Sequence, residues 1–179
     1  MKKEINIFDY AEQIMKGIKG GVLLTSKADG RANTMAISWG TLGIEWNKPI
    51  FTTFVREGRF TRELLDKNGE FTISIPTEKS NKKLIGLCGT KSGRDVNKAE
   101  SFGLTYVDGE KVNVPAVKEF PLVLECRVIY RQVQDKNAMQ KEDRAAFYPE
   151  DVGSENCGAN RDTHIAYTGE IVTAYIIED

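Results

Sequence analysis

The residues best suited to chemistry fall in a few short runs. Arg56 and Arg59 stand in a turn after the apolar run Ile50 to Val55, and Thr61 follows just ahead of Leu64 and Leu65, where a helix N-cap belongs. A helix N-terminus presents unpaired backbone N–H groups and the positive end of the helix dipole, so arginines beside it make a phosphate cradle. Taken alone, the turn is better read as a capped helix with two solvated arginines. A second anion-friendly loop, Lys91-Ser92-Gly93-Arg94, lies further on, where glycine lets backbone N–H groups approach a phosphate closely. Loops of this kind are common, but two of them in one nearly neutral chain strengthen each other.

The third run is Asn33, Thr34, Met35, Ala36, Ile37, Ser38 and Trp39. As a barrel strand, half of these side chains simply pack inward. In the functional reading, the strand's backbone edge hydrogen-bonds a flat heterocycle, with Met35 or Trp39 beside it. Together, the stretch from Asn33 to Arg62 reads as the holder of a phosphorylated, planar cofactor. His164 is the single histidine, and an isolated histidine is more often structural or exposed than catalytic. One histidine excludes the common zinc sets built on two or more, and no Ser/His/Asp grouping or spaced carboxylate pair stands out. There is no Gly-x-Gly-x-x-Gly fingerprint, so a nicotinamide cofactor would bind only transiently.

The elements that must position these groups are mostly strands. Residues 8–18 (Phe8, Ile14, Met15, Ile18) read as a short helix ending at Gly20-Gly21. Gly21 to Ser26 is a strand, and Ala28-Asp29-Gly30 carries the hairpin signal into Ala32 to Ser38. A loop with two glycines and Trp46 leads to the strand Ile50 to Val55. A helix from about Arg62 to Lys67 then stops at Asn68-Gly69. Phe71 to Ile75 alternates and ends at Pro76. Ser80 is placed to cap a short helix through Leu87, and Asp95 one that stops at Gly103; Leu104 to Val114 reads as a hairpin around Asp108-Gly109. Leu122, Leu124, Cys126, Val128 and Tyr130 alternate with Glu125, Arg127 and Arg131, the period of a strand with one wet face. Residues 135–163 read as a short helix plus a long loop, and Ile165 to Ile177 as a strand interrupted by Gly169. Six or more strands with short helices between them predict a mainly β fold, a closed antiparallel barrel with helical inserts.

Composition sets the bounds. At 179 residues, with 40% hydrophobic and 28% charged side chains, the chain suits one globular domain, 1–179. A net charge of -1 without a basic face argues against nucleic acid as a partner. No apolar run reaches the roughly 20 residues of a membrane helix, and the N-terminus lacks an apolar signal core. Cys88, Cys126 and Cys157 form no metal or disulfide pattern, which fits a reducing cytoplasm and incidental thiols.

Several motifs together resemble the flavin reductase-like family, the FMN-binding split barrels that include flavoredoxin. They are Asn33-x-Met35-x-x-Ser38-Trp39-Gly40, Lys48-Pro49, Val55-Arg56-x-x-Arg59-x-Thr61, Ser92-Gly93-Arg94-Asp95-x-x-Lys98 leading to Gly103-Leu104-Thr105, and His164-x-x-Tyr167-x-Gly169-Glu170-Ile171. The resemblance covers nearly everything after Gly20. It implies a Greek-key-like split β-barrel, a homodimer, and one FMN per subunit held non-covalently near the dimer interface. It implies that Asn33 to Ser38 line the isoalloxazine and that Arg56, Arg59 and Thr61 take the phosphate with Lys91, Ser92 and Arg94. His164 would face the open side of the flavin. Relatives either pass hydride from NADH or NADPH to flavin or carry electrons for a redox partner protein. A barrel that binds flavin or haem without catalysis is the remaining alternative. The stretch from Lys136 to Asp162 is the least family-like.

Overall fold

The computed structural model describes residues 1–178; Asp179, the last residue of the expected domain, lies outside the described residues. Ten strands are present among these residues: β1 (Lys2–Glu4), β2 (Val22–Ala28), β3 (Arg31–Ile37), β4 (Gly40–Glu45), β5 (Lys48–Arg56), β6 (Glu70–Ile75), β7 (Tyr106–Val107), β8 (Ala116–Val117), β9 (Leu122–Val133) and β10 (His164–Ile177). The helices are α1 (Ala11–Gly20), α2 (Phe60–Asn68), α3 (Lys83–Thr90), α4 (Lys98–Phe102) and α5 (Lys141–Phe147). One antiparallel sheet runs β3-β2-β6-β9-β10-β5-β4, and β1 takes the edge of β10 that β5 leaves after Glu170.

The two ends of that path are neighbours in sequence. β3 and β4 are joined only by Ser38 and Trp39, yet no ladder connects them among the described residues. The barrel is therefore split at this link, as the resemblance implies, rather than closed. Helix α1 packs across the interior through Ile14 and Ile18, one helical turn apart and both buried. It sits so near β6 that a Cβ on Gly17 would stand 2.6 Å from the Ile75 side chain. Phe8 and Met15, expected in the same helix, are exposed, and Phe8 lies ahead of α1.

The period-two reading holds, but both faces of several strands are covered. Val22 and Leu24 of β2 enter the main core, while Leu23 packs with Leu84, Cys88 and Phe120 beneath α3 and β8. On β9 the supposedly wet Glu125 is fully buried. Its carboxylate accepts backbone N–H bonds from Glu110 (2.7 Å), Lys111 (2.7 Å) and Val112 (3.1 Å). A charge can be buried when a nest of N–H groups replaces its water. Those donors explain why residues 108–115 form a loop between β7 and β8 and not a tight hairpin at Asp108-Gly109.

Other expectations also shift. The expected loop before β5 is strand β4, closed onto β5 by Trp46 and Asn47 with φ of 49° and 59°. Two successive left-handed residues make the tight turn that matches strand twist, and a tryptophan is a poor sequence signal for it. Helix α2 begins one residue before Thr61, whose hydroxyl does not cap it, and ends as expected at Gly69 with φ 66°. Helix α4 is capped by the Asn97 side chain and not by Asp95. At α3, Asn81 accepts from Lys83 N–H, while Ser80 accepts from Thr77 N–H.

Candidate functional site

The sheet's split, the α2 turn, the loop between α3 and α4 and the segment before β10 meet around one cleft of about 860 Å³. Of the residues singled out from sequence, Asn33, Met35, Ala36, Ile37, Ser38, Trp39, Arg56, Arg59, Thr61, Lys91, Ser92, Arg94 and His164 all line it. Thr34 and Val55 do not. Alternation turns Thr34 to the other face, where its hydroxyl pairs with Thr25 (2.8 Å) and Tyr106 (2.9 Å). Val55 points into the main core.

One end of the cleft is built for charge. Asn33 Nδ2 donates to Thr61 Oγ1 at 2.8 Å, tying β3 to the first turn of α2. Gly93 lies against that amide so closely that any Cβ would overlap Asn33. Arg59 donates through Nη2 to the carbonyls of Asn156 (3.1 Å) and Cys157 (3.0 Å). Arg94 donates to Gly58 O at 3.0 Å and pairs with Glu63. Lys98 is buried, with Nζ donating to Cys88 O at 2.7 Å. Burial lowers its pKa, opposed by the nearby Cys88 thiol and reinforced by Arg59. An ammonium has three donors, so this one carries more hydrogen-bonding capacity than the single carbonyl uses.

The other end is aromatic. His164 pairs with Arg56 across the β10–β5 ladder, and both buried side chains line the cleft. Trp39 meets Phe147 edge-on at 5.1 Å and His164 at 5.0 Å between ring centres. Tyr148 Oη lies 2.7 Å from His164 Nδ1. Burial, aided by the charges of Arg56 and Arg59, pushes the His164 imidazole down to about 3. The ring is neutral at physiological pH.

Arg56 differs from Arg59, although the sequence suggests the same task for both. Its Nη1 donates to Asn160 O (3.2 Å) and Asp162 O (2.6 Å), and its Nη2 to Phe147 O (2.8 Å). The guanidinium is buried and engaged with carbonyls of the segment 147–162, so it straps that segment down.

The sequence alone marks Gly93 only as a place where backbone can approach a phosphate and Lys98 only as part of a motif, gives Phe147 and Tyr148 no role, and leaves all three thiols incidental. Cys88 and Cys157 in fact line the cleft, while Cys126 lies in the core. Burial pushes the Cys88 thiol up to about 11, and the Cys157 thiol donates to Thr90 O at 3.3 Å. The Ser92-to-Lys98 motif was the available signal for Lys98; nothing local marks Tyr148.

The flavin reductase like domain profile matches residues 15–179. The chain is 28% identical to flavoredoxin from Methanosarcina acetivorans, covering 88% of this chain and 68% of that one with a TM-score of 0.63. It is 26% identical to flavoredoxin of Desulfovibrio vulgaris, covering 88% and 69%, again with a TM-score of 0.63. An uncharacterised protein of Archaeoglobus fulgidus is 33% identical over 99 residues, 55% of each chain. The chain spans little more than half the length of the curated relatives it matches.

Proposed function

The chain belongs to the flavin reductase-like family, and on that premise we propose that it is an FMN-binding oxidoreductase reduced by NADH or NADPH. The observation that carries this is the convergence of separate sequence segments on one cleft, cationic at one end and aromatic at the other. Such a cleft fits a flat ring with an anionic tail. Lys98 with its spare donors, Lys91, Ser92, Arg59 and the first N–H groups of α2 are the groups to take the phosphate. Residues Asn33 and Met35 to Ser38 are the groups to lie along the ring, with Trp39 at its edge and His164 toward its open side.

Bound FMN supplies the hydride or electron transfer; the protein supplies position, access and electrostatics. Arg56 holds the segment 147–162 beside the cleft by its carbonyls. The neutral His164 is a hydrogen-bonding group and not a cationic acid. No paired carboxylate is needed.

A second reading, an electron carrier reduced by a partner protein, is favoured by the similarity to two flavoredoxins. We further propose a homodimer. The visible spectrum of the protein as purified, followed anaerobically with NADH and then NADPH, separates the readings. Rapid bleaching by either nicotinamide supports the reductase. A flavin spectrum that neither bleaches, but that reduced ferredoxin does, supports the carrier. A protein that neither carries FMN nor takes it up contradicts both.

A further inference from the structure

We propose that Tyr148 and Gln134 are positioning residues that hold His164 as the Nδ1–H tautomer, so that its bare Nε2 faces the cleft as a hydrogen-bond acceptor. The three side chains form a short chain. Tyr148 Oη is 2.7 Å from His164 Nδ1, and the Tyr148 hydroxyl donates to Gln134 Oε1 at 3.2 Å. A phenol has one proton. Both contacts are hydrogen bonds at once only when Tyr148 donates to Gln134 and its oxygen accepts from Nδ1–H. The neutral ring then has none on Nε2.

The backbone fixes the register of this chain. Gln134 N–H donates to His164 C=O at 3.0 Å, just beyond the last β9–β10 pair, Val133 with Ile165. Gln134 is therefore bonded to His164 twice, once directly and once through Tyr148, in a closed ring of hydrogen bonds. The edge-on packing of Tyr148 on the imidazole, 5.5 Å between centres, adds rigidity.

The consequence is a statement about ligand chemistry. At this end of the cleft the histidine accepts, so the bound group must offer an N–H or O–H, such as an imide, a carboxamide or a sugar hydroxyl. A carbonyl or carboxylate oxygen at the same place is repelled. The tautomer does not depend on the flavin reading, because it follows from contacts within the chain.

Because the chain has a single histidine, a long-range proton–nitrogen correlation spectrum of the protein as purified reports one unambiguous ring. At neutral pH the expected result is a protonated, pyrrole-type Nδ1 and a bare, pyridine-type Nε2. Gln134→Leu removes the acceptor, turns the Tyr148 proton toward Nδ1 and moves the ring proton to Nε2. Gln134→Glu restores an acceptor and with it the wild-type pattern. A merely structural role for Gln134 leaves the tautomer unmoved. A proton on Nε2 in the wild type, or an identical ring pattern in the wild type and Gln134→Leu, overturns the proposal.

Discussion

The two ends of the cleft use charge in opposite ways. At the end formed by α2 and the α3–α4 loop, Lys91, Lys98 and Arg59 face the cleft, and Lys98 keeps donors beyond its one carbonyl bond. At the aromatic end Arg56 is the cation, and carbonyls of the segment 147–162 engage both its terminal nitrogens, while His164 stays neutral. Arg56 and Arg59 stand three residues apart, one on the last position of β5 and the other at the cap of α2. Arg59 also ties Asn156 and Cys157 of that segment, but through Nη2 alone, whereas both terminal nitrogens of Arg56 are engaged. Residue type alone does not decide which cations bind a ligand; the count of their remaining donors does.

The largest effect that would break this contrast is on stability. Arg56→Met should destabilise the fold by about 3 kcal/mol, because it strips charge-assisted bonds from one buried and two part-buried carbonyls. It should also open residues 147–162 to protease. Denaturant melts and limited proteolysis check this, and a variant as stable as wild type would show that the strap carries nothing. Next in size, Lys98→Met should weaken FMN roughly 10- to 100-fold, the loss of one charge-assisted phosphate bond of about 1.5–3 kcal/mol. Riboflavin affinity should not change. Arg59→Ala should act in the same direction but less strongly, since Nη2 already donates to two carbonyls.

A third test concerns pH. His164 has its folded pKa lowered to about 3 from 6.5, so its contribution to stability is intact above pH 6.5. As pH falls from 6.5 toward 3 the unfolded chain takes up a proton that the folded ring refuses, and stability drops. The slope is up to about 1.4 kcal/mol per pH unit. His164→Gln should remove that part of the acid sensitivity in melts run across the window, and an unchanged slope would refute the neutral buried ring. The smallest expected effect is Cys157→Ser. Its exposed thiol makes one weak bond, so FMN affinity should stay within about twofold by titration.

The frame was legible in the sequence because apolar alternation and turn chemistry are local. The Asp29-Gly30 turn, Gly69 and Gly103 all appear where their residue types require. Strand β4 was missed because Gly40, Gly43 and the left-handed Trp46 mimic a loop. The face of Glu125 was misjudged because its partners, Glu110 to Val112, come from a loop whose return over β9 no short window encodes. At the site, the phosphate-friendly residues were recognisable from type and motif. Thr34 and Val55 come with the runs the resemblance implies, Asn33 to Ser38 and Val55-Arg56, and consecutive strand residues alternate between faces. The division of labour between Arg56 and Arg59, and the Gln134–Tyr148–His164 chain, depend on where residues 147–163 fold back, which is tertiary information.

Calorimetric titration of the protein freed of any bound flavin with FMN and with riboflavin, which lacks only the phosphate, tests the claim that the cationic end grips an anionic tail. FMN should bind at least roughly tenfold tighter, about 1.4 kcal/mol. Equal affinities, or no binding of either, would contradict the account.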